Sequence, residues 1–123
     1  NWEWVQDEVR SGQYAVTLFP GPIGRSDIST RSPIPIIPGK TYQVSFWAKN
    51  SSSDGGSFGI RRGDANNRMI DYIWQDVDRN SEWKMYTFTF EATENTHQIG
   101  IYLRLEEEAG GQIWFDDIHM EEI

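Results

Sequence analysis

Residues 40–50, KTYQVSFWAKN, decide the fold. Tyr42, Val44, Phe46 and Ala48 share one parity, and Gln43, Ser45, Trp47 and Lys49 share the other. In an extended chain successive side chains point to opposite faces, so this alternation predicts a strand with one buried and one solvated face. A helix would return its apolar residues every three or four positions, and no segment longer than a few residues does so with caps. A strand with one wet face belongs to an antiparallel sheet.

The same period recurs on both sides of this stretch. In EWKMYTFTFEA (82–92), Tyr86, Phe88 and Phe90 alternate with Thr87 and Thr89; in HQIGIYLRL (97–105), Ile99, Ile101, Leu103 and Leu105 fall inside. SGQYAVTLF (11–19), SFGIRRG (57–63), RMIDYIWQDV (68–77) and GGQIWFDDIHMEE (110–122) read as further strands between turn residues. The prolines of TRSPIPII (30–37) confine that strand to an edge or to irregular pairing. SSSDGGS (51–57) is a connection. Eight short strands with turns between them predict an all-β protein: a two-sheet antiparallel sandwich with jelly-roll topology.

The 123 residues suffice for one domain, 1–123, with a core that needs no staples. There is no cysteine, which excludes disulfides and thiolate metal sites. With 19 acids against 11 bases the net charge is −8, which argues against nucleic acid or an anionic membrane as partner. No apolar run approaches the roughly 18 residues of a membrane span. Six Trp, five Tyr and six Phe make up 14% of the chain. Most of them fit a sandwich core; a few on the surface would serve as flat platforms for sugars, which suit an acidic chain better than nucleobases do.

In the last strand, Asp116 shares its parity with Trp114, Ile118 and Met120, so it is expected to face the core. A buried carboxylate needs hydrogen-bond donors, an arginine or a cation. The two histidines, His97 and His119, enter no Ser/His/Asp constellation, and no paired-carboxylate site follows from spacing. RGD at 62–64 and the sequon NSS at 50–52 are short enough to arise by accident, and the acids EEE at 106–108 read as a solvated loop.

SGQYAV (11–16), IIPGKTYQVSFWAKN (36–50), EWKMYTFTFEA (82–92) and IWFDDIHMEE (113–122) resemble, in order and spacing, the carbohydrate-binding modules of the family four, nine and twenty-two group. Those are β-jelly rolls appended to secreted glycoside hydrolases. The resemblance covers nearly the whole chain. It implies a non-catalytic, extracellular module that binds a polysaccharide or oligosaccharide, a plant β-glycan such as xylan, glucan or mannan, and holds an attached enzyme near its substrate. The alternative is a jelly roll without a glycan site, serving in a surface layer, filament or capsid.

One departure stands out. The family's usual first strand lies well before the first Trp, whereas this sequence reaches NWEW at once. The strand near SGQYAV is therefore expected to have an open edge, unless a strand-sharing subunit or a longer parent chain fills it. The resemblance also implies a structural calcium, with Asp116 and the carbonyl of Gly12 as ligands. It places the sugar on a concave sheet formed by the strands near 30–37, 57–62, 69–76 and 98–105. The outward face of that sheet would carry Tyr102, Arg104, Gln98 and Arg61. Asp71 and Gln75 are expected to join it, because burying Asp71 would be costly. Tyr72 and Trp74 then turn to the core, with Trp74 at the rim, or as the platform if the strand is bulged. Trp4 is a second stacking candidate at the mouth. Trp47 would lie on the opposite, convex sheet, and Trp83 in core or turn packing.

Overall fold

The computed structural model describes residues 2–6, 10, 15–19, 26–51, 56–106 and 111–123, with the side chains of residues 2–5 left aside. Its strands are β1 (Trp2–Val5), β2 (Ala15–Leu18), β3 (Ser26–Ser29), β4 (Ile34–Pro35), β5 (Thr41–Asn50), β6 (Gly56–Gly63), β7 (Met69–Val77), β8 (Asn80–Glu91), β9 (Gln98–Leu105) and β10 (Ile113–Glu122). One sheet runs β1-β2-β10-β5-β8, the other β3-β9-β6-β7, with β4 also on β9. Every pairing is antiparallel; β6 and β7 form a hairpin within the second sheet, and the chain otherwise changes sheet at each step from β5 to β10. The expected all-β sandwich and its partition of strands between two sheets are both present.

The alternation in β5 is strict: its even-numbered residues, Tyr42 to Asn50, are buried and its odd-numbered ones are half-exposed. At the centre, Phe46 of the first sheet stacks on Phe58 of the second, with centroids 4.4 Å apart and planes 9° apart. Both are fully buried, each contributing roughly 1.5–3 kcal/mol by removing apolar surface from water. Tyr86 stacks on Phe46, and Phe115 leans on it. The buried hydroxyls are accommodated: Tyr42 accepts the N–H of Ile37 at 2.8 Å and Tyr86 that of Asp78 at 3.0 Å. Buried Asn50 donates from Nδ2 to the carbonyl of Val77, so the sequon's acceptor nitrogen is inside the protein.

Two expectations are corrected by the backbone. The edge of β2 is not open: Trp2–Val5 pairs along its whole length, from Trp2 opposite Leu18 to Val5 opposite Ala15. Asp116 does not face the core. Ile113 and Phe115 are the buried residues of β10, and Asp116 lies opposite outward-facing Trp47. A bulge between Asp116 and His119, with Asp117 at φ 50°, then shifts the phase by one residue. That shift returns Met120 to the core opposite Val44, which is why parity counted back from Met120 misplaced the acid. The Asp116 carboxylate accepts the backbone N–H groups of Arg10 and Asp117, each at 2.8 Å.

Candidate functional site

The outer face of the second sheet is set by its register. Arg61 on β6 lies between Gly100 on β9 and Tyr72 on β7, and Gly59 lies between Tyr102 and Trp74. Directly paired residues share a face, so Arg61, Tyr72, Trp74, Tyr102 and Arg104 all emerge on one side. Gly59 makes room for its neighbour. A Cβ on Gly59 would sit 2.3 Å from Cζ3 of Trp74, so the indole occupies the space a side chain would take.

The rings form one cluster. Tyr72 and Trp74 stack with centroids 5.6 Å apart and planes at 11°, and Tyr102 meets Tyr72 edge-on at 5.6 Å. The Arg104 guanidinium lies 4.3 Å from the Trp74 ring centre and bonds Asp27 at 2.8 Å. Tyr72 is 38% and Trp74 37% exposed, so large apolar surface is left in water here. Burial, and then the neighbouring Tyr72 hydroxyl, push the Tyr102 phenol up from its ordinary value. It therefore stays protonated at neutral pH and keeps both donor and acceptor capacity.

Beside Tyr102 the face dips into a pocket of about 290 Å³, walled by Thr30, Arg31, Arg61 and Asn67 above the bare backbone of Gly100. Arg61 donates from its two terminal nitrogens to Oδ1 and O of Asn67, both at 3.1 Å. Asn67 is held at φ 60° in the β6–β7 turn. The turn is built on Asp64, whose carboxylate accepts the N–H groups of Asn66 and Arg68 and is held below the usual carboxylate range mainly by the second of these.

The other predicted residues fall elsewhere. Asp71 and Gln75 share the inward parity of β7 with Ile73 and Val77, while Tyr72 and Trp74 point out, the reverse of what the sequence suggested. Asp71 avoids the cost of that position through Arg62, directly opposite on β6. The Arg62 guanidinium grips both carboxylate oxygens, Nε to Oδ1 at 2.7 Å and a terminal nitrogen to Oδ2, and also bonds the Glu91 carbonyl at 2.8 Å. This fork holds the Asp71 carboxyl below its ordinary value. It also occupies the arginine of RGD. Gln75 bonds the Asp76 carbonyl, and Gln98, at the end of the face, holds the turn through the Asp64 carbonyl. Trp4 lies on β1, opposite Val16 in the first sheet; its side chain is outside the described residues. Sequence reasoning missed Tyr72 and Gly59. The shared parity of Ile73 and Val77 was the available signal for Tyr72.

The first sheet's outer face is occupied differently. Arg10 covers Trp47, its guanidinium 3.9 Å from the ring centre, and the Lys49 ammonium lies 4.7 Å from the centre of Trp114. For a calcium ion, Asp116 offers one carboxylate, already accepting two backbone N–H groups. Gly12 lies outside the described residues. Among the described residues no three His, Cys, Asp or Glu gather as ligands. Toward the roughly six to eight oxygens that calcium takes, Asp116 supplies the carboxylate and Gly12 would supply a carbonyl.

The family model CBM_4_9, described as "Carbohydrate binding domain", matches residues 5–110. No curated protein matches the sequence. Three solved structures illustrate the fold. The enzymatically active domain of tailspike protein 4 from bacteriophage CBA120 superposes with a TM-score of 0.82 at 17% identity, covering 100% of this chain and 18% of that one. A family 16 carbohydrate binding module gives 0.73 at 17% identity, covering 97% and 84%. The Clostridium thermocellum xylanase 10B CBM22-1–GH10 modules, complexed with xylohexaose, give 0.67 at 14% identity, covering 99% and 24%.

Proposed function

The chain belongs to the CBM_4_9 carbohydrate binding domain family, and from that premise we propose that it binds an extended polysaccharide across the outer face of the β3-β9-β6-β7 sheet. It is a non-catalytic carbohydrate-binding module. The observation that carries the proposal is the contiguous cluster of Tyr72, Trp74 and Tyr102, left in water with Arg61 and Arg104 on either side. Rings bury the apolar faces of sugars, a gain that scales with area. Hydroxyls exchange water for protein at small net gain per bond, so arginines orient the chain more than they hold it. The target we propose is a β-glycan such as xylan, glucan or mannan, outside the cell. There the module would raise the local concentration of an attached enzyme on its substrate.

Calorimetric titration with xylo-, cello- and mannohexaose tests this. Trp74→Ala and Tyr102→Ala should abolish measurable binding. Arg104→Ala should weaken it by roughly 1–2 kcal/mol, and Trp47→Ala should leave it unchanged. If the unaltered chain binds none of the three, nor their polymers, the reading as a structural or assembly domain replaces this one.

Calcium is a separate proposal, motivated by the family resemblance: Asp116 would supply a carboxylate and Gly12 a carbonyl. A melting temperature lowered by chelator and restored by calcium supports it, and an unchanged melting curve removes it.

A further inference from the structure

We infer that the pocket beside Tyr102 receives the carboxylate of an acidic sugar, so that the module selects a uronate-bearing polysaccharide over a neutral one. The inference rests on the proposed carbohydrate face and names its ligand class more closely. It begins from where the arginines stand. Arg62 is neutralised by Asp71 and Arg104 by Asp27. Arg61 and Arg31, which line the pocket, have no carboxylate partner among the described residues. Among the described residues Arg61 bonds the neutral Asn67 alone, and Arg31 makes no hydrogen bond or ion pair. None of the described lining residues is acidic. In a chain of net charge −8, two arginines without a counter-ion among the described residues, at one cavity of about 290 Å³, make a local cationic site.

The geometry suits a planar anion. A guanidinium presents its donors in a rigid fork that matches a carboxylate. Asn67 takes one N–H from each terminal nitrogen of Arg61 and so fixes its plane, and the Asp64 turn fixes Asn67. The Nε–H with the second N–H of each terminal nitrogen remains for a ligand, so little ordering is left to be done on binding. Gly100 leaves the floor open, and Tyr102 forms the wall shared with the aromatic cluster. A sugar ring against Tyr102 would thus direct an equatorial carboxylate towards Arg61 and Arg31.

The test compares matched ligands on the whole chain by calorimetry: xylohexaose, the same hexaose bearing one glucuronate branch, and that branched sugar as its methyl ester. Tetragalacturonate and its methyl ester separate a main-chain uronate from a branch. At least one free acid should bind about ten- to hundredfold more tightly than its ester. The gap should narrow in about 0.5 M salt and close in Arg31→Gln. Arg61→Lys, which keeps the charge and loses the fork, should retain part of it. Equal affinity of acids and esters overturns the inference while leaving the carbohydrate face standing. A preference that survives both Arg31→Gln and Arg61→Ala overturns it too. If no sugar binds, the carbohydrate face itself falls, and this inference with it.

Discussion

Gly59 decides where Trp74 lies. Its missing side chain is the seat of the indole, and the indole in turn stacks on Tyr72 and meets Arg104. Gly59→Ala should leave the fold intact but lift Trp74, costing about 1 kcal/mol of lost ring packing. Affinity for the bound hexaose should fall together with the near-ultraviolet circular dichroism of the aromatic cluster. Asp71 belongs to the same scale. Its side chain is 43% exposed and that of Arg62 16%, so water screens the pair and its worth is about 1 kcal/mol. The carboxyl is held low by Arg62. Its contribution is therefore complete above the unfolded value near 3.9 and is lost as pH falls through the folded one. Asp71→Asn should be less stable than the parent at pH 7, and the two melting curves should converge as pH drops below about 4. The cost of burying Asp71 pointed to the outer face, while its partner Arg62 stood nine residues away in the sequence. What it did not show was the register that sets them opposite each other, so the acid was assigned to the wrong face.

At the scale of the element, strict alternation was legible and its interruption was not. In β5, in β9 and in β8 from Tyr86 onward the period-two pattern identifies the buried face. β10 carries a bulge, and a bulge inverts every inference drawn across it. Asp116 before it and Met120 after it share parity yet occupy different faces. Nothing in DDIHM announces the extra residue, although an acid pair tolerates the left-handed backbone at Asp117 better than most residues do. Asp117→Val, β-branched at φ 50°, should destabilise by about 1–3 kcal/mol in denaturant melts. The opposite case is Phe46, where pattern and packing agree: Phe46→Ala should cost about 3–5 kcal/mol through the cavity left against Phe58 and Tyr86.

At the scale of the whole molecule, two sheets with distinct outer faces divide the work. On the first sheet Trp47 is engaged by Arg10 and Trp114 by Lys49. The second sheet's rings are stacked on one another and open to water. This division follows from strand order, which the resemblance supplied and composition alone did not. The order also shows β1 covering β2. A chain shortened by its first six residues should expose that edge and associate in sedimentation at concentrations where the whole chain associates less. The most direct measurement of the central claim follows the six tryptophan indole N–H resonances while the best-bound hexaose is titrated in. Assignment of Trp74 comes from Trp74→Phe. The structure predicts that Trp74 shifts progressively to saturation while Trp47 and Trp114 stay in place. A shift of Trp47 or Trp114 with Trp74 unmoved would put the sugar on the opposite sheet and contradict the assignment.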